Sequence, residues 1–191
     1  LDTSRGLGDV YKRQTKYFEK IRIFDGGMGQ ELLSKGLISK GTLWSASALI
    51  EREFHKLVID AHMSYINAGA DIIVTNNFSA RKIRFIQNKV LDKFQYANEQ
   101  AGILANKARE ISKQNILIAG SLPSQSDTYV EDERSSSEIQ SDFEEQAKII
   151  SPYVDFFYLD VVSSGREIEI ASNIVEKLGK KVVVGLSLIH I

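Results

Sequence analysis

The chain has 191 residues, of which 43% are hydrophobic and 26% charged, a balance that fits a single globular domain with a sizeable core. Lysine plus arginine number 24 against 25 acidic residues, so no basic excess points to nucleic acid or an anionic membrane surface. No apolar run approaches the roughly 18 residues of a membrane span, and the absence of cysteine excludes disulfides, a thiol nucleophile and a thiolate metal site within these residues.

In chain order, the first segment reads as foreign to the fold. The last six residues, Leu186–Ile191, can be written CTG TCT CTT ATA CAC ATC, and the reverse complement of that DNA encodes Asp9–Gln14. Such an inverted repeat is similar to the mosaic end of a transposase-based sequencing adapter, whose upstream extension encodes Ser4–Gly8. Residues 1–14 and 186–191 are therefore expected to be adapter-derived, leaving a domain over residues 15–185 whose natural start and end are both missing.

Within 15–185, short β-type runs alternate with longer helical patterns. IRIFD (21–25) reads as a strand running into Gly26-Gly27. From Ala46 to Ala68 apolar residues recur at helical spacing, and Gly69 ends the helix. ADIIVT (70–75) is a second strand, apolar enough to be buried on both faces. A helix over 94–113 and a third strand, NILIAG (115–120), follow. The polar, acidic stretch 124–138 reads as a solvated loop, long enough to act as a lid. Ser135 and Glu138 have capping-box spacing and open a helix that must stop before Pro152. A fourth strand at 154–160, a helix at 167–178 and a fifth strand in KKVVVG complete the pattern.

Five strands each followed by a helix imply parallel βα units, as in an open doubly wound sheet or a closed barrel. Asp25, Thr75-Asn76-Asn77, Ser121 and Asp160 all fall at the C-terminal ends of successive strands. A barrel gathers those ends at one mouth, whereas an open sheet concentrates function at its switch point. The expected class is therefore α/β, a (β/α)8 TIM barrel truncated after about the fifth strand, since a complete one needs about 250 residues.

Asp25 and Asp160 would converge at that mouth. Paired carboxylates there suit acid–base work or a substrate ammonium, and each also fits a local helix cap. The Asp25-Gly26-Gly27 loop matches no phosphate or dinucleotide fingerprint and reads as a tight turn. His55 and His62, seven residues apart on a helix, are separated by about 10.5 Å along its axis and cannot share one metal. Trp44 reads as a packing anchor.

FDGGMGQEL (24–32), LWSA (43–46), HMSYINAGAD (62–71), IIVTNNFSA (72–80) and IAGSLP (118–123) together resemble the homocysteine S-methyltransferase family. The resemblance implies a barrel that moves a methyl group from a small-molecule donor (betaine, S-methylmethionine or methylfolate across the family) to homocysteine sulfur, giving methionine. It implies a zinc ion on cysteines after strands six and eight, which stabilises the thiolate that attacks the methyl. By resemblance Asp25, Gly26, Gly27, Thr75, Phe78 and Asp160 line the substrate pocket. Asp160 stands where the family has a glutamate for the amino group, and GSLP departs from GS-x-GP on the donor side. The implied zinc cysteines fall beyond Gly185, so zinc is expected in the full-length parent, with no zinc and no methyltransferase activity in this chain alone. The implied partners are homocysteine and the donor; composition points to no nucleic acid and no membrane, the charge balance and absent cysteines favour the cytoplasm, and nothing signals an oligomeric state. Two other readings stay open: a non-catalytic amino-acid-binding barrel, and a different barrel enzyme using Asp25 and Asp160 as acid and base.

Overall fold

A computed structural model describes residues 16–187. The leader 1–14 lies outside the described residues, as does the proposed tail except for Leu186 and Ser187. The helices are α1 (Met28–Ser34), α2 (Ser47–Ile50), α3 (His55–Asn67), α4 (Lys82–Gln87), α5 (Phe94–Ser112), α6 (Ser136–Ile150) and α7 (Gly165–Lys177). The strands are β1 (Ile72–Val74), β2 (Leu117–Ser121), β3 (Phe156–Val162) and β4 (Val182–Leu186).

All four strands run parallel and lie side by side in chain order, β1-β2-β3-β4. Ile72 is paired with Leu117, Ala119 with Phe156, and Tyr158 with Val183. Each helical crossover returns the chain to the adjacent position, so the described strands show no reversal of order and no switch point, the progression of a barrel wall. The expected strand 21–25 is reduced to a single parallel bridge between Phe24 and Ile72. It still runs along the edge of β1, since the Asp25 amide donates to the Ile72 carbonyl and the Ile72 amide to the Ile23 carbonyl.

The period-2 alternation of the strands divides the core in two. Ile73, Ile118 and Phe157 face the helices and join the main cluster, with Ala101, Leu104 and Phe143 from α5 and α6. Their neighbours Ile72, Ala119 and Phe156 face the other way and form a second cluster with Phe24, Val74 and Tyr158. A sheet packed on both faces accounts for the near-continuous apolar runs of its strands.

The helix expected over 46–68 is broken. Glu51 is extended (φ −91°, ψ 110°) between α2 and a short 3-10 turn that leads into α3. Apolar spacing alone could not reveal this, because both pieces keep their apolar residues on the core. The break is held by polar contacts: the Glu51 carboxylate pairs with Lys40 at 2.7 Å, and His55 Nε2 lies 3.0 Å from the Leu49 carbonyl. The α5 helix ends in Lys113 in left-handed geometry, and α6 opens with the full Ser135–Glu138 capping box and stops at Ile150, before Pro152.

The segment 124–138 is solvated over most of its length, as its composition suggests, but it is anchored at three buried positions. Ser124, Gln125 and Asp132 are buried. Arg134 binds Asp132 and Asp142, each at 2.7 Å, while Arg166 donates to the Asp132 carbonyl. Asp132 alone of the acidic residues here leaves solvent, its carboxylate paired with Arg134 and its carbonyl bonded by Arg166, while Asp127, Glu131, Glu133 and Glu138 stay exposed.

Candidate functional site

One cavity of about 650 Å³ opens at the C-terminal ends of the strands. All six residues singled out from the sequence, Asp25, Gly26, Gly27, Thr75, Phe78 and Asp160, line it. Trp44, Tyr129, Tyr158 and Val183–Gly185 from β4 contribute much of the remaining wall.

The Asp25 carboxylate accepts the Val74 amide at 2.9 Å, which fixes the first segment to the end of β1 and aims the side chain at the cavity mouth. Asp160 sits inside β3 and accepts the Ser121 hydroxyl at 3.0 Å. Burial pushes Asp25 up to about 7, the charge of Asp160 adds to the rise, and the Val74 amide opposes it. Burial likewise raises Asp160 to about 6, opposed by the Ser121 hydroxyl. Two half-buried carboxylates, the charge of one raising the other, with no ion pair among the described residues are costly, and such groups concentrate at functional sites.

Thr75 has its hydroxyl committed. It donates to Asn77 Oδ1 at 2.6 Å and accepts the Ser121 amide at 3.0 Å, so it braces the cavity wall. The loop that carries Thr75 and Phe78 is pinned by a buried amide network. Asn77 Nδ2 donates to Asn98 Oδ1 and the Ser121 carbonyl, and Gln146 Nε2 donates to the Asn77 and Ala80 carbonyls. Each of these amides is fully buried, which makes their complete pairing decisive for the loop position.

Trp44 does more than anchor the core. It holds φ at +46° and turns its ring toward Gly29, where a Cβ would lie only 2.5 Å from the ring. Gly29 is therefore the space into which the indole fits while it lines the cavity. The glycine-rich loop was readable as a turn, but its use as a seat for an aromatic ring required the tertiary contact. Tyr129 and Tyr158 were missed altogether, because Tyr129 lies in a stretch that reads as solvated and Tyr158 inside an apolar strand. His62 is fully buried on α3, away from the cavity-lining set, and neither ring nitrogen has a hydrogen-bond partner among the described residues.

The donors available do not fit a zinc–thiolate centre. The chain has no cysteine, and no group of three or more His, Cys, Asp or Glu among the described residues is placed to hold a metal. No described helix is long and apolar enough to cross a membrane.

A parallel βα wall with a carboxylate-bearing, aromatic-lined pocket at its C-terminal end defines a barrel-type protein with a small-molecule site. Comparison then narrows the class: the family model of the homocysteine S-methyltransferases matches residues 22–190, and the chain belongs to that family. The homocysteine S-methyltransferase of Escherichia coli strain K12 is 32% identical over 115 residues, covering 54% of this chain and 35% of that protein. Homocysteine S-methyltransferase 1 of Zea mays is 39% identical over 64 residues, covering 34% of this chain and 19% of the relative. The metallated form of the homocysteine methyltransferase MmuM from Escherichia coli superposes with a TM-score of 0.76 at 23% identity, covering 90% of this chain and 65% of that one. The likeness fixes the fold as TIM-barrel type, and the chain spans less than two thirds of each of these relatives.

Proposed function

We propose that the domain over residues 15–185 is the homocysteine-binding part of a cytoplasmic (β/α)8-barrel enzyme that moves a methyl group from a small-molecule donor to homocysteine sulfur, giving methionine. The observation that carries this reading is the convergence of Asp25 and Asp160 on one cavity, in a chain that belongs to the family. An α-ammonium group entering between the two carboxylates supplies the missing cation, lowers both back toward the ordinary carboxylate range and gains charge-assisted hydrogen bonds. Gly26, packed against Tyr65, and Gly27, with open space beside it, present bare backbone on this side of the cavity to the amino-acid end, and Phe78 with the other aromatic walls offers apolar surface to the thioether-forming end. The aromatic faces also suit a methyl group carried on a positively charged centre.

In the transfer itself the S–CH3 bond forms as the donor's bond to that methyl breaks, and the thiol proton is lost. Zinc in the parent enzyme would supply the thiolate. The residues of this chain do not fit that ion, so their part is to bind and orient the amino acid, and the chain alone is expected to produce no methionine. Methionine formation by this chain with zinc and a donor would refute that assignment.

The test of the site is calorimetric titration of L-homocysteine into the protein and into Asp160→Asn. Loss of tenfold or more in affinity supports the ammonium-binding role, while unchanged affinity overturns it and favours the reading in which Asp25 and Asp160 act as acid and base on another substrate.

A further inference from the structure

The segment 21–25 that carries Asp25 forms a single bridge to β1, and its side chains Ile21 and Ile23 stand in solvent, 94% and 58% exposed. Such a segment does not fix the direction of a carboxylate by strand pairing alone. The remaining grip comes from the α3–β1 unit. Val74 at the end of β1 donates its amide to the Asp25 carboxylate, and one residue on, Gly26 rests against the ring of Tyr65 from the last turn of α3. A Cβ at Gly26 would lie 2.9 Å from the ring edge of Tyr65 and 3.2 Å from its hydroxyl oxygen. A side chain there would overlap the ring, so the backbone and the ring are in direct contact.

Tyr65 is rigidly carried. Its neighbour Ile66 is buried in the main cluster, and its own carbonyl accepts the Ala70 amide at 3.0 Å, across the turn that Gly69 makes with φ +104°. Burial of α3 does not account for the ring, which is only partly buried beside the buried Ala61, His62 and Ile66. Burial raises its hydroxyl above the ordinary tyrosine range, and the charges of Glu31 and Asp25 add to the rise, so the phenol stays neutral beside those carboxylates. Gly26 lines the cavity while Tyr65 is outside the lining set, so the ring backs the peptide that a ligand would meet.

We infer that Tyr65 is a positioning residue of the ammonium site, its ring pressed on Gly26 so that Asp25 is held toward the cavity. The Val74 amide holds the carboxylate itself, and Tyr65 holds the backbone that bears it. Both come from one helix–turn–strand unit, so the two contacts keep a fixed spacing. The tyrosine of HMSYINAGAD (62–71) thereby acts on the substrate through Asp25 without touching it. This assignment rests on the homocysteine reading above.

The experiment uses the 191-residue chain, with L-homocysteine as the calorimetric probe and the Asp25 carboxyl carbon followed by NMR in the unliganded protein. Tyr65→Ala should lower homocysteine affinity about fivefold. It should also flatten the rise in affinity near pH 7 that belongs to Asp25, while the step near pH 6 that belongs to Asp160 remains. In the same variant the Asp25 titration should fall from about 7 toward the ordinary carboxylate range, because water reaches the freed segment. Tyr65→Phe keeps the ring and should restore both readings; failure to restore them overturns the role of the ring. Gly26→Ala should cost about fivefold in affinity with Tyr65 present and little in the Tyr65→Ala background, where the added methyl meets no ring. An equal cost in both backgrounds overturns the inference. So does a Tyr65→Ala chain that melts lower with its homocysteine affinity and Asp25 titration intact, since that is the result of a merely structural ring. If the unsubstituted chain binds no homocysteine, the methyltransferase reading fails, and the Asp25 titration still decides whether Tyr65 positions that carboxylate.

Discussion

Replacing Asp160 by Asn should make the protein more stable and less able to bind its substrate, with a pH dependence that identifies the cause. In the folded chain burial raises Asp160 from 3.8 to about 6, which corresponds to about 3 kcal/mol favouring the protonated form. The folded state therefore holds more protons than the unfolded state between about pH 4 and 6, so stability falls as pH rises through that window and stays lowered above it. The side chain faces an open cavity, and water screening there leaves a net cost of about 1.5 kcal/mol at pH 8. Asn removes the charge and still offers an oxygen to the Ser121 hydroxyl, so the cost should disappear. For a chain of this length the melting temperature should rise by about 3–6 °C at pH 8 and by about half as much at pH 5. Removing that charge should also bring Asp25 down, because Asp160 is one of the causes of its rise. The assay is thermal unfolding followed by circular dichroism at both pH values. A melting temperature that is lowered, or raised equally at pH 5 and pH 8, would refute the argument that an uncompensated carboxylate is being maintained for a ligand.

Homocysteine affinity should rise between pH 5 and pH 8 as Asp160 and then Asp25 ionise, with protons released on binding near pH 7; calorimetry in buffers of different ionisation enthalpy measures the release, and pH-independent affinity contradicts the ammonium site. Burial lowers His62 to about 3, so the unfolded state takes up protons first as pH falls below about 6.5, and by pH 5 the protein should lose about 2 kcal/mol. His62→Leu should abolish that loss in urea titrations at pH 7 and 5, and an unchanged pH slope would place the acid sensitivity elsewhere. Gly29→Ala should cost about 1–3 kcal/mol, since the added methyl meets the Trp44 ring. Trp44 is the sole tryptophan, so its fluorescence should shift as the ring moves, and unaltered emission and stability would show that the ring is not seated on Gly29.

Much of the architecture could be read locally. The capping box at Ser135, the stop before Pro152 and the apolar strands each depend on a few adjacent residues, and their physics is unchanged by the rest of the fold. Asp25 and Asp160 could be singled out because strand ends in a βα barrel converge by topology. The break at Glu51 and the burial of Asp132 and Arg81 could not be read in the same way. Each depends on a distant partner: Lys40 for Glu51, Arg134 and Arg166 for Asp132, and the Ser124 and Ser126 carbonyls for Arg81.

The sequence by itself determined the alternation of strand and helix, the parallel class and the residues that end at the mouth, because periodicity, caps and turns act over one or two helical turns. Only the tertiary structure decided which carboxylates face a cavity, which are neutralised by arginine, and that Trp44 closes on Gly29. Charge compensation and close packing act through space at a few ångströms, between residues that the chain separates by tens of positions.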